Sequence, residues 1–163
     1  MKEVMELLKA ISTRFPNHHL VLRPHPRQKK IAPEVIEGLA TLNNSIEQGS
    51  DEFLRDVDIL IADNSSILLE AALCNCYAIQ KTLSANSIYD YYGFIGEGIA
   101  TFAPDIEETM KLISKFYQQP AQPRQNAVRL DASINSPFEF QVESEILRIL
   151  KEEYGIVSVP DID

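Results

Sequence analysis

The sequence predicts an α/β domain of three layers, built on a mostly parallel sheet. Two observations predict it. Short apolar runs of β character alternate with segments whose apolar residues recur at helical spacing, which is the pattern of parallel βαβ units. One of those runs, Ile59-Leu60-Ile61-Ala62, is continuous in its hydrophobicity, as expected of a strand covered on both faces.

Each element follows in order. Residues 2–14 place Val4, Leu7, Leu8 and Ile11 on one helical face, and Phe15-Pro16-Asn17 ends that helix. Residues 19–23 form a short β-rich run stopped by Pro24-His25-Pro26. Pro33 opens a short helix to about residue 40, proline being suited to the first turn. Residues 45–47 read as a minor strand, and Ser50 or Asp51 caps a short helix through Leu54 and Val57. After the 59–62 strand, a turn at Asp63-Asn64 leads into a helix over 65–73. Strands are expected at 77–80 and 99–102, and an amphipathic helix at 105–117. Residues 118–137 form a connection, and a closing helix spans 138–153 with Val142, Ile146, Ile149 and Leu150 on one face. The 83–98 stretch is loop-rich, and its aromatics, Tyr89, Tyr91, Tyr92 and Phe94, are expected to pack in the core rather than stack on a base. The whole of 1–163 is read as a single Rossmann-like domain. It opens on a helix where such a unit begins on a central strand, so the first strand is expected to be lost or to belong to a longer protein.

Composition narrows the function. With 163 residues, 45% of them hydrophobic and 24% charged, the chain is that of a globular protein with a sizeable core. A net charge of −9 disfavours nucleic acid as a partner, because that interaction needs a basic surface to displace counterions. No apolar run approaches the length of a membrane span, no signal-peptide pattern precedes the first helix, and the two cysteines imply no disulfide framework; a cytoplasmic setting is expected. Cys74 and Cys76 are better explained by burial than by metal, and no other cluster has metal-ligand spacing, so neither a metal nor a resident cofactor is expected.

Two segments carry candidate chemistry, both where parallel strands give way to loops, the edge at which open α/β sheets bind ligands. In the first, Arg23-Pro24-His25-Pro26, two prolines end the strand and fix the backbone around His25, with Arg23, Arg27, Lys29 and Lys30 nearby. An imidazole there is suited to hydrogen-bonding a phosphate or transferring a proton, which makes His25 the candidate catalytic residue; the bland reading is an exposed turn. In the second, Asp63-Asn64-Ser65-Ser66, small hydroxyl residues open a helix and offer donors to phosphate; the bland reading is ordinary capping. Glu70 shares a helix face with Ser66 and could accept from ribose hydroxyls or be solvated. Neither a glycine-rich dinucleotide fingerprint nor a Gly-Lys-Ser/Thr phosphate loop is present.

Taken together, an Arg-Pro-His-Pro strand end about 40 residues before an apolar strand leading to Asp-Asn-Ser-Ser, with a following acidic residue, resembles a known pattern. It is similar to the C-terminal domain of GT-B transferases related to the CDP-glycerol glycerophosphotransferases, the capsule polysaccharide enzymes and several bacterial sialyltransferases. The resemblance runs from about residue 15 to residue 117. Asn64 stands where a tyrosine is common, and Glu70 where the glycerophosphotransferases usually have aspartate. The resemblance implies a donor-nucleotide domain of a bacterial glycosyl- or polyol-phosphate transferase in cell-surface polysaccharide synthesis. Arg23, His25, Asp63, Ser65, Ser66 and Glu70 would hold a CDP-, CMP- or UDP-linked donor. An N-terminal acceptor domain, absent from this chain, would complete the cleft, so the chain alone is expected to be inactive. Peripheral membrane association of the full-length enzyme is also implied. Two alternatives stand beside it: a nucleotide-sugar 2-epimerase-like domain, disfavoured by Ser66 and Ile67 in place of glycines, and a non-catalytic interaction module.

Overall fold

The computed structural model describes residues 1–25, 30–36, 38–45, 47–83, 88–119 and 126–128. The chain divides into two compact units, Met1–Ala127 and Val128–Asp163. The expected closing helix at 138–153, and the connection before it apart from residues 118, 119 and 126–128, lie outside the described residues.

The first unit is α/β. Helix α1 (Lys2–Arg14) buries Leu7, Leu8 and Ile11, and the Phe15 N–H closes it onto the Ile11 carbonyl before Pro16. Strand β1 (Val21–Leu22) follows, then a single 3-10 turn (Pro33–Ile36) and strand β2 (Thr41–Leu42). Helix α2 (Ser50–Leu54) leads to β3 (Ile59–Ala62), α3 (Ile67–Leu73), β4 (Tyr77–Lys81), β5 (Ala100–Ala103) and α4 (Ile106–Gln118). Asp105 caps α4, its carboxylate accepting the Glu108 N–H at 2.7 Å. No helix among the described residues is long and apolar enough to cross a membrane.

All strand pairings among the described residues are parallel. They form a two-stranded sheet, β1-β2, and a three-stranded sheet, β3-β4-β5. Leu7 and Ile11 of α1 meet Met110, Leu112 and Ile113 of α4 over Tyr77 and Ile79 of β4. Side chains alternate along a strand, so Ala78 and Gln80 face the other way. There α3 packs on the strands with Leu68, Ala71 and Ala72 fully buried, and α2 packs beside α3. Helices therefore cover both faces of the three-stranded sheet, in the three layers that the alternating pattern predicts.

Four local expectations are corrected. The strand buried along its whole length is β4, the middle of its sheet, whereas β3 is half-buried throughout, with only one of its edges paired among the described residues. The minor strand is 41–42, not 45–47. The ladder stops because Asn43 Oδ1 accepts the Ser45 N–H and Ser45 Oγ accepts the Gln48 N–H, turning the backbone away. Gly49, not Ser50 or Asp51, occupies the N-cap of α2, since the Ser50 hydroxyl is turned toward Glu70. Of the four aromatics at 89–94 only Phe94 is buried; Tyr89, Tyr91 and Tyr92 are exposed.

Candidate functional site

At the carboxyl end of β1 the chain leaves the sheet through Arg23, Pro24 and His25. Arg23 does not extend into solvent. Its guanidinium donates to the Gln48 carbonyl and, at 3.3 Å, to the Gly49 carbonyl, and lies 4.6 Å from the centre of the Phe53 ring. These contacts hold the start of α2 against the end of β1. His25 is exposed two residues further on, and Arg27 and Lys29 lie in the stretch that follows it, outside the described residues.

The other candidate segment follows β3. Asp63 Oδ1 accepts the Asn64 N–H at 2.8 Å, and its Oδ2 accepts the Leu83 N–H at 3.4 Å, so one carboxylate ties the ends of β3 and β4 together. Asp63 thus shapes the turn that presents the serines. Ser65 Oγ reaches the Ile67 N–H only at 3.5 Å, and Ser66, at the N-cap position, makes no side-chain capping bond. A tightly capping serine would close onto the helix amides. Here Ser66 is exposed, and its hydroxyl makes no hydrogen bond among the described residues. Beside it, Asn64 Oδ1 is buried without a hydrogen-bond partner, an acceptor that costs free energy unless something donates to it.

Glu70, one turn into α3, accepts a hydrogen bond from the Ser50 hydroxyl at the start of α2. Both side chains are half-buried, so this charge-assisted bond is a substantial link between α2 and α3. In a double-mutant cycle, Ser50→Ala and Glu70→Ala should show a coupling of about 1–2 kcal/mol by urea denaturation. A coupling near zero would show that each residue acts alone.

A continuous set of contacts results. Arg23 binds the carbonyls of Gln48 and Gly49, the next residue is Ser50, and Ser50 binds Glu70, four residues after Ser66. The structure thereby connects the Arg-Pro-His-Pro segment to the serine helix through residues 48–50. Sequence reading missed Gln48 and Gly49 altogether and treated Ser50 as a helix cap. The contacts link residues 20 to 26 apart through loop carbonyls, which leave no mark in periodicity or composition. His18 and His19, set aside as structural, behave so. His18 packs edge-on against Phe15 and Tyr117, and His19 Nε2 meets Thr41 Oγ1 at 2.8 Å.

No family model, no curated protein and no solved structure matches the chain.

Proposed function

We propose that the first unit is the donor-nucleotide-binding domain of a glycosyl- or polyol-phosphate transferase. One observation carries this reading: the linkage of the β1 end to the serine helix of β3 through Arg23, the 48–50 loop, Ser50 and Glu70. A parallel α/β sheet binds ligands beyond the carboxyl ends of its strands, and two such ends are coupled here. On this reading Ser66, whose hydroxyl is not spent on capping, and Ser65 donate to the donor's phosphates. Amides at the start of α3 add to the stabilisation of charge that develops on the leaving nucleotide. His25, exposed at the β1 end, supplies a further hydrogen bond or the proton to the leaving phosphate. Glu70, held in place by Ser50, accepts from a ribose hydroxyl, and Asp63 and Arg23 shape the two loops rather than touch the phosphates. The acceptor would bind to a second domain, so turnover by this chain alone is expected to be negligible.

The test is a thermal-shift panel of CMP, CDP and UDP with inorganic phosphate as control. A nucleotide present at 100 times its Kd should stabilise the fold by about 2.7 kcal/mol. The Ser65→Ala, Ser66→Ala double variant should keep its unliganded Tm to within a few degrees and lose the nucleotide-induced shift. A panel with no shift, or a shift unchanged in the double variant, would overturn the reading.

A further inference from the structure

A cavity of about 570 Å³ is bounded by residues of β1, β2, the turn after β2 and α2. That size falls within the roughly 300–1,000 Å³ of small-molecule sites. Asn43, Asn44, Ser45 and Gln48 of the turn line it, and hydrogen bonds hold them in place. Asn43 Nδ2 donates to Gln48 Oε1 at 2.9 Å, while Asn43 Oδ1 accepts the Ser45 N–H at 3.0 Å. Ser45 Oγ accepts the Gln48 N–H at 3.1 Å, and Asn44 Nδ2 donates to the Ile31 carbonyl at 3.1 Å.

These bonds fix the side chains without exhausting them. A primary amide carries two N–H donors and an oxygen that takes two hydrogen bonds. In these contacts Gln48 uses its amide oxygen once, Asn43 and Asn44 each spend one N–H, and the Ser45 hydroxyl accepts without donating. Donors and acceptors are therefore offered together, at set positions and without charge. Apolar surface lies beside them in Leu42 and in Phe53, whose ring has the Arg23 guanidinium 4.6 Å from its centre. Glu52 and Asp56 complete the lining as exposed carboxylates, where solvent limits their effect on a charged ligand to a few-fold in affinity. The amides decide the ligand class. A phosphate leaves their oxygens without donors, and a purely apolar ligand strands the whole set. Hydroxyl groups both donate and accept, so they match amide, serine and carboxylate alike.

We infer that this cavity is a binding site for an uncharged polyhydroxy ligand, a sugar or polyol unit. The amides of Asn43, Asn44 and Gln48 hold its hydroxyls, and its C–H face lies toward Phe53 and Leu42. Because the amides are already fixed, binding costs little further side-chain ordering. Gln48 serves twice, its carbonyl accepting from Arg23 while its side chain lines the cavity. The inference does not depend on nucleotide binding.

The test titrates the nitrogen-15-labelled full chain with cellobiose, lactose and mannobiose, neutral disaccharides that differ in linkage and hydroxyl stereochemistry. Pyrophosphate and spermidine form the anionic and cationic arms. At least one disaccharide should shift the side-chain NH₂ signals of Asn43, Asn44 and Gln48 saturably, with a Kd of about 0.1–10 mM. Backbone signals of α4 should not move. Gln48→Met removes the unspent N–H donors but keeps the carbonyl that Arg23 binds, so it should fold and bind about fivefold more weakly. Val21→Trp, at an exposed strand position on the cavity, fills the space and should weaken binding about tenfold or more while keeping its circular dichroism. The absence of a saturable shift with every disaccharide up to about 100 mM would overturn the proposal. So would undiminished binding by the folded Val21→Trp variant, or a tighter response of these signals to pyrophosphate or spermidine than to any disaccharide.

Discussion

Replacing Leu68 with alanine should cost about 3–4 kcal/mol of stability, among the largest losses expected from a single truncation of a described residue. Leu68 is fully buried and is the largest of the buried side chains of α3, a helix that packs against the sheet and against α2. The other buried residues of α3, Ala71 and Ala72, are already small, so neighbouring side chains on the helix cannot swing in to fill the space. The cost is therefore transfer free energy plus a cavity that does not collapse. Urea denaturation should show a lower midpoint with an unchanged slope, because the same surface is exposed on unfolding. Leu69, half-buried one residue along, serves as the internal control and should lose less than about 1.5 kcal/mol on the same change. Equal losses at the two positions would mean that α3 does not present the described face to the sheet. The consequence reaches the candidate site, because Ser66 and Glu70 bracket Leu68 on the same short helix.

That helix also shows how far residues alone can reveal this fold. The apolar run before Asp63 and the helical spacing after it were enough to place β3 and α3, because hydrophobic periodicity responds directly to burial. The same run was read as buried on both faces; helices do cover both faces of its sheet, yet every residue of β3 is only half-buried. Hydrophobicity reports what a strand could cover, while coverage depends on which strands pair, and the second edge of β3 has no partner strand among the described residues. The 45–47 strand failed for a local reason. Side-chain hydrogen bonds from Asn43 and Ser45 turn the backbone just after Leu42, and such local competition overrides weak β propensity. Within the candidate site, His25 and the serine pair were legible as loop residues at strand ends. Ser50 and the carbonyls of Gln48 and Gly49 were not, because their part is set by what Arg23 and Glu70 reach in space.

The pH dependence of stability should carry the imprint of a single thiol. Cys76, fully buried at the start of β4, donates its S–H to the Leu54 carbonyl, with Sγ 3.2 Å from the oxygen. Burial, reinforced by negative charge at Cys74 and Asp58, pushes its pKa up to about 11 from an ordinary value of 9.0. The folded state therefore holds this proton more tightly than the unfolded chain does. Between those two values the unfolded state binds fewer protons, so stability must fall as pH rises through that window and be unaffected below it. A difference of this size corresponds to roughly 2–3 kcal/mol lost by the top of the window. Tyr117, whose pKa is also raised by burial and by Asp58, adds a decline of the same sign, so the measurement must be a difference. Cys76→Ala should be less stable at pH 7, from lost packing, yet show a visibly shallower decline between pH 9 and 11. Alkylation supplies the independent check. At pH 8 the partly exposed Cys74 should react with iodoacetamide in the native protein, and Cys76 only at the rate of global unfolding. Parallel pH profiles for wild type and Cys76→Ala, or rapid native labelling of Cys76, would place that thiol outside the core and detach the amino end of β4 from α2.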